Sequence, residues 1–203
     1  MSGKPQYDES AVIDAAIAVF WHHGYASASV SDLTEATGLS RSSLYQRFRD
    51  KDGLFNEALA RYSERVVARM RSVKANSAKK RMEALLRDFL PKDRAAPRPA
   101  GCLLARSCTE QSSLTTIGKE AANAGVGRQR EVLLDILKAA KTEGEVRRDA
   151  NLESLSWYYL GTLQAIVNLP PAGASIDALE DLVGIAMSAW PPPATPRINF
   201  SHS

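Results

Sequence analysis

The chain has 203 residues, 44% of them apolar and 24% charged, and carries a formal net charge of only +3. That length holds one domain or two small ones, and the composition is that of an ordinary soluble globular protein. The charge is lower than expected of a protein that coats nucleic acid non-specifically, so an affinity for DNA must rest on local geometry. No apolar run is long enough to span a membrane, and no N-terminal apolar core resembles a signal peptide, so the expected location is the cytoplasm.

In chain order, residues 1–8 are polar and expected to be mobile. A first helix is predicted from about Glu9 to His23, with Val12, Ala15, Ala16, Val19 and Phe20 on its buried face and Gly24 as its stop. Ser29 to Lys51, SVSDLTEATGLSRSSLYQRFRDK, then reads as two short helices joined at Gly38, followed by the start of a third. Ser29 or Ser31 can cap the first of these, and Val30, Leu33 and Ala36 or Thr37 make its apolar face. Gly38 supplies the left-handed conformation that ends a helix cheaply, and Leu39 closes the turn. Ser40 can cap the second helix. Leu44 and Phe48, four apart, must point inward together, which turns Ser42 and Gln46 outward with Ser43 and Tyr45 beside them. Arg41 lies in the first turn. This is a helix-turn-helix with a small, polar outer face, and it points to DNA. Arg pairs with guanine, Gln with adenine, and hydroxyls bond phosphates.

Asp50 is the expected cap of a long helix from Lys51 to about Val73, in which Leu54, Phe55, Ala58, Leu59, Tyr62, Val66 and Met70 recur at helical spacing. Ala78 to Leu90 is amphipathic, and Pro91 to Gly101, with three prolines, must be a loop. Cys102 to Gln111 is a short helix. Leu114 to Thr142 is a longer one, with Gly125 and Gly127 as weak points, and Gly144 marks the turn after it. Leu152 to about Asn168 carries Trp157, Tyr158 and Tyr159 and is stopped by Pro170 and Pro171. Ser175 or Asp177 starts a last helix that holds Leu179, Leu182, Val183, Ile185, Ala186 and Trp190. The tail PPPATPRINFSHS is expected to be disordered. No strand and no internal repeat is predicted, so the fold class is all-α.

Ile13 to Val67 resembles the N-terminal domain of TetR-family transcriptional regulators, on AAIAVFWHHGY, SVSDLTEATGLSRSSLYQRF with Tyr45 and Phe48 as its Tyr-x-x-Phe, and DKDGLF. Thr34 departs from the small Ala usual in that family at the contact between the two helices, which predicts a slightly shifted packing. GCLLARSCTE and GEVRRDANLESLSWYYLGTLQAIVNL resemble, more weakly, the regulatory domain of one large subgroup. The resemblance implies a three-helix DNA-binding domain over 1–55, a helical ligand-binding and dimerisation domain over 56–190 and a tail over 191–203. It implies a homodimer that binds double-stranded operator DNA and a small-molecule effector, with the last two helices paired across the dimer.

The DNA-contact candidates are Ser29, Ser40, Arg41, Ser42, Ser43, Tyr45, Gln46 and Lys51. Arg41, Ser42 and Gln46 are expected to read base edges; Tyr45, Lys51 and the capping serines to hold phosphates. Lys51 at a helix N-terminus opposes the helix dipole, and a phosphate would relieve that conflict. Arg41, Arg47, Arg49 and Lys51 form the expected positive patch, whereas Arg61, Arg65, Arg69 and Arg71 read as a solvated helix face. Ligand candidates are Tyr62, Cys102, Arg106 and Trp157, with Glu110 and Gln164 as further polar groups; dimer candidates are Tyr159, Leu163, Leu182 and Ile185. Three adjacent aromatics cannot share one helix face, so at least one of Trp157, Tyr158 and Tyr159 must reach another surface.

Adjacent His22 and His23 point about 100° apart and cannot chelate one metal well. Two cysteines without clustered histidines make a poor metal site. No metal or other cofactor is expected. No nucleophile–base pair or phosphate loop suggests an enzyme. The expected function is a ligand-responsive, sequence-specific repressor. The alternative is a redox or electrophile sensor in which Cys102, at a helix N-terminus with Arg106 one turn on, is the reactive thiol and Cys108 resolves its oxidised form.

Overall fold

The computed structural model describes residues 7–92 and 101–193. Over these the chain forms helices α1 (Glu9–Ser27), α2 (Val30–Thr37), α3 (Arg41–Phe48), α4 (Lys51–Ser72), α5 (Ala78–Asp88), α6 (Leu103–Thr109), α7 (Thr116–Thr142), α8 (Leu152–Asn168) and α9 (Ile176–Ser188). Short 3₁₀ turns lie at Gln111–Ser113 and Pro170–Ala172. Among the described residues there is no strand. Most of the first eight residues, the proline-rich segment 93–100 and the tail from 194 on lie outside the described residues.

Local chemistry places the helix starts. Ser29 caps α2 in a capping box with Asp32, Ser40 caps α3, Asp50 caps α4 and Ser175 caps α9, each side chain accepting a backbone N–H that the helix leaves unpaired. Of the serine pair at α2 it is Ser29 that caps, because Ser31 is already inside the helix.

Two helices differ from expectation. Gly24 breaks the helical path of α1 (φ 79°, ψ 170°), but the chain resumes its turn and runs on to Ser27. α7 runs unbroken through Gly125 and Gly127. Gly125 is a notch: a Cβ there would lie 2.4 Å from a Leu104 methyl, so the glycine admits α6 against α7.

The buried residues form two cores. The first joins Val12, Ala16 and Phe20 of α1, Leu33, Leu44 and Phe48 of the helix-turn-helix, and Leu54, Phe55, Leu59 and Tyr62 of α4. It also takes in Cys102, Leu103 and Leu104 of the α6 start. The second joins Met70, Met82, Leu85, Leu133, Leu137, Tyr159, Leu163 and Val183 from α4, α5, α7, α8 and α9. Val66 of α4 and Val126 of α7 pack against both, so these two helices join a helix-turn-helix head to a larger body.

Candidate nucleic-acid interface and ligand cavity

α3 turns Leu44 and Phe48 fully inward and leaves Arg41, Ser42, Tyr45 and Gln46 exposed. At its N-terminus the Ser40 Oγ accepts from the Ser43 N–H at 3.1 Å and lies 2.9 Å from Ser42 Oγ and 2.8 Å from Ser43 Oγ. Three hydroxyls thus gather beside the unpaired N–H groups of a helix start, where an anion is favoured. Among the described residues neither Arg41 nor Arg49 has an ion-pair partner, whereas Arg47 pairs with Glu9 and with Glu57, the latter at 2.9 Å. Arg47 therefore belongs to the packing of α3 on α1 and α4, a correction to the expected patch of four cations. Its guanidinium pKa is raised by hydrogen bonds to these two carboxylates.

Gly53, which sequence reasoning passed over except as part of a motif, holds α3 to α4. A Cβ at Gly53 would lie 1.9 Å from the Phe48 carbonyl oxygen, so only glycine admits the end of α3 against the first turn of α4. Thr34 bonds its own helix, Oγ1 to Ser31 O at 2.9 Å, and α2 still packs on α3.

Lys51 sits differently from the expectation. Its Nζ donates to Ala28 O at 2.9 Å and lies 4.4 Å from the centroid of the Tyr25 ring. The ammonium thus serves the C-terminal end of α1, where a cation is favoured, and that contact offsets its unfavourable place at the start of α4 without a phosphate. Burial lowers its pKa. Tyr25 in turn donates its hydroxyl to Asp52, and burial, reinforced by that carboxylate, pushes the phenol pKa upward.

The second basic run is also corrected. Arg61 and Arg65 both pair with Asp14 of α1, at 3.1 and 2.6 Å, and Arg69 pairs with Asp88 at 2.7 Å while covering the Phe89 ring. These arginines tie α4 to its neighbours; Arg71 stays exposed.

A cavity of about 730 Å³ opens between α1, α4, the α6 start and α8. Ile17, Trp21, Tyr62, Val66, Phe89, Leu163, Ile166 and Val167 give it a largely apolar lining, with Gln129 and Gln164 as its uncharged polar groups. That size and character suit a small organic molecule. Of the expected ligand residues, Tyr62 and Cys102 line it. Tyr62 packs edge-on against Trp21 at 5.0 Å, its hydroxyl accepts from the Leu103 N–H at 3.4 Å, and burial drives its pKa up.

Arg106 does not line the cavity. Its guanidinium donates to the carbonyl oxygens of Trp21 (3.3 Å), His22 (3.1 Å) and His23 (2.9 Å) and to Glu110 at 3.0 Å, whose other oxygen accepts from the Ala26 N–H at 3.2 Å. The pair grips the broken end of α1 on both sides of Gly24, satisfying groups that the break leaves open. With Arg106 so engaged, its guanidinium does not serve Cys102, which is buried, and burial raises the Cys108 pKa.

The aromatics of α8 separate as the helix wheel requires, but not as assigned. Trp157 is 52% exposed, away from the cavity, with Arg130 stacked 4.7 Å over it. Tyr158 is also exposed, and Tyr159, expected at a dimer interface, is wholly buried in its own core. Leu163 is likewise buried and lines the cavity. Leu182 is half-buried against the core, and Ile185 is 66% exposed on α9. The outer face of α8 and α9 therefore offers Trp157, Tyr158, Ile176 and Ile185. Among the described residues no three His, Cys, Asp or Glu side chains gather to hold a metal ion, and no helix is long and apolar enough to cross a membrane.

Residues 12–58 match the family model of bacterial regulatory proteins of the tetR family, and residues 78–181 match that of the tetracyclin repressor-like C-terminal domain. The chain belongs to the TetR family. It is 30% identical over 201 residues to the HTH-type transcriptional repressor ComR of Escherichia coli strain K12, covering 93% of this chain and 92% of that one. It is 28% identical to the HTH-type transcriptional regulator YezE of Bacillus subtilis strain 168, over 93% of this chain and 98% of the other. Among solved structures, a cysteine-substituted TetR family regulator CifR complexed with 26-bp double-strand operator DNA superposes with a TM-score of 0.82, at 28% identity over 93% of this chain and all of that one. As a TetR-family protein it is a helix-turn-helix transcriptional regulator, with α1–α3 as its DNA-side domain.

Proposed function

We propose that this TetR-family regulator is a homodimeric repressor that leaves a near-palindromic operator when a small, mainly apolar effector fills the cavity beside Trp21 and Tyr62. The observation that carries the reading is the outer face of α3. Arg41, Ser42, Tyr45 and Gln46 are all exposed, and no described residue bonds the Arg41, Tyr45 or Gln46 side chain. Arg41, Ser42 and Gln46 read base edges in the major groove; Ser29, Ser40, Ser43 and Tyr45 hold phosphates. Lys51 can join them with a second N–H while its ammonium stays bonded to Ala28 O. The second copy covers the outer face of α8 and α9, where Trp157, Tyr158 and Ile185 leave apolar surface open.

An effector acts by binding better to a state in which α4 has swung and the two heads no longer match the operator spacing. A reversible ligand fits this site better than thiol chemistry, because Cys102 is buried and Arg106 is held by α1. The work of the protein is recognition rather than catalysis. Selection of binding sites from random double-stranded DNA with the purified protein tests the proposal. A two-fold symmetric motif enriched at low salt is expected; enrichment of nothing, where electrostatic binding is strongest, refutes it.

A further inference from the structure

The wall of the cavity beside Trp21 and Tyr62 carries more positive than negative charge. Asp14 is shared by Arg61 and Arg65, at 3.1 and 2.6 Å, and Asp88 is shared by Arg69 and Lys92, at 2.7 and 2.6 Å. Four cations thus meet two carboxylates, and Arg65, Arg69 and Lys92 themselves line the cavity. Each spends only part of its donors on its partner. Arg65 gives Nη2 to Asp14, Lys92 gives one N–H to Asp88 Oδ1, and Arg69 gives Nε to Asp88 Oδ2 and Nη2 to the Asp88 backbone oxygen. No described residue accepts from Arg65 Nη1, from Arg69 Nη1 or from the other Lys92 N–H groups. The Arg69 guanidinium is also held 4.0 Å over the centroid of the Phe89 ring, so its open edge is fixed in place.

The other polar groups of the wall offer no competing acceptor. Cys102 donates its backbone N–H to Asn168 Oδ1, Asn168 Nδ2 donates to Gln164 Oε1, and Gln164 Nε2 donates to Gln129 Oε1, each at 3.0 Å. A backbone N–H can only donate, so the first link sets the direction of all three amides, and their oxygens are spent on one another. Asp14 Oδ1 makes no well-directed hydrogen bond, but the two guanidinium groups beside it neutralise its charge. Trp21 Nε1 is buried, and no described residue accepts from it. What the wall leaves open is donors and positive charge.

The charge lies at one end. Tyr62, Arg65, Val66 and Arg69 line the cavity along one stripe of α4. Tyr62 meets Trp21 at one end of the stripe, and Arg69 meets Asp88 about 10 Å of helix further on. An anion at the cationic end keeps part of its hydration, because the side chains of Arg65 and Lys92 are 50% and 45% exposed, while an apolar body along the stripe leaves water altogether.

We infer that the cavity takes an amphipathic carboxylic acid as its anion, with the carboxylate at the mouth among Arg65, Arg69 and Lys92 and an apolar body running along α4 to Trp21 and Tyr62. This names the chemical class of the effector and rests on the proposed use of the cavity as the effector site. The excess of cations rejects a positively charged molecule of the same shape and gives a neutral one no bond at the mouth.

The test uses the full chain without DNA, so its failure and a failed operator selection are separate results. Octanoate, 1-octanol and octylammonium share one apolar body and differ in the charge of the head. By calorimetric titration at low salt the protein should bind octanoate about tenfold more tightly than octanol, and octylammonium more weakly than either. Acetate, a head without a body, should not bind measurably. Raising the salt to about 0.5 M should shrink the preference for octanoate over octanol and leave octanol binding in place. Arg69→Gln should weaken octanoate binding about fivefold and Lys92→Gln, on the exposed rim, about threefold, with octanol binding unchanged in both. Asp14→Asn should tighten octanoate binding about threefold by freeing the guanidinium of Arg65, a gain that a damaged fold would not give. Equal binding of octanoate and octanol, binding of neither, tighter binding of octylammonium, or a preference unchanged in both Arg69→Gln and Lys92→Gln overturns the inference. So does weaker octanoate binding in Asp14→Asn with octanol binding intact.

Discussion

The head and the body leave opposite kinds of surface unsatisfied. In the head, α1–α3 and the first half of α4 bury nearly every large apolar side chain and leave polar groups open along α3, with Tyr45 its only well-exposed aromatic. In the body, the polar and charged groups around α4, α5 and α8 are largely paired, and apolar Trp157, Ile176 and Ile185 are left open on α8 and α9. A surface short of hydrogen-bond partners suits a polyanion with base edges; a surface short of apolar neighbours suits a second protein surface. Both α4 and α7 pack against the two cores, through Val66 and Val126, so the head and the body are joined by helices as well as by loops.

The contrast breaks most severely where α3 meets α4. Gly53→Ala drives a methyl into the Phe48 carbonyl and should cost about 1–3 kcal/mol in urea unfolding, despite the better helix propensity of alanine. A midpoint equal to that of the wild type would mean that this corner is looser than described. Next come two arginines of one helix. Arg41→Ala should weaken binding to the selected operator by about 1–3 kcal/mol and leave unfolding unchanged. Arg47→Ala should do the reverse in kind, lowering stability by no more than about 1 kcal/mol because its partners are more than a third exposed. Equal loss of specific and non-specific binding in Arg41→Ala would make Arg41 a phosphate contact.

On the body, Ile185→Asp should raise the dimer dissociation constant at least tenfold by sedimentation velocity, because a charge would be buried on the apolar face. A dimer that survives it unchanged moves the interface elsewhere. The smallest effect expected is on the acid limb of stability. Burial raises the Asp88 carboxyl pKa, but bonds from Lys92 and Arg69 outweigh it, and the net shift is downward. A folded pKa below the unfolded value of about 3.9 gives stability that is complete above that pH and is lost as pH falls through the folded value. Asp88→Asn should therefore lose less stability than the wild type between about pH 4 and pH 2, and parallel curves would exclude the linkage.

Much of the head was legible in the sequence. Ser29, Ser40 and Asp50 cap the helices that their positions suggested, Gly38 adopts the left-handed turn, and Leu44 and Phe48 face inward. The body was legible as helices but not as a site. Tyr159 and Leu163 lie on the inner face of α8 and Trp157 on the outer, and periodicity alone does not say which apolar stripe meets its own core and which meets a partner. Arg106 looked like a ligand group and serves as a clasp on α1, because its partners are carbonyls more than eighty residues away.

The sequence by itself determined the all-helical class, the helix boundaries to within a few residues, and the helix-turn-helix with its polar outer face. Caps, turn glycines and the 3.6-residue period act within one or two turns of chain. Only the tertiary structure decided which cations of α3 are paired among the described residues. Arg41 remains open while Arg47 is taken by Glu9 and Glu57, 38 and 10 residues away in sequence. It also decided the cavity and the direction of its amide chain, since Gln129, Gln164, Asn168 and Cys102 come from three separate segments. Whether a polar side chain is satisfied depends on what packing brings within about 3 Å of it, and no local pattern encodes that.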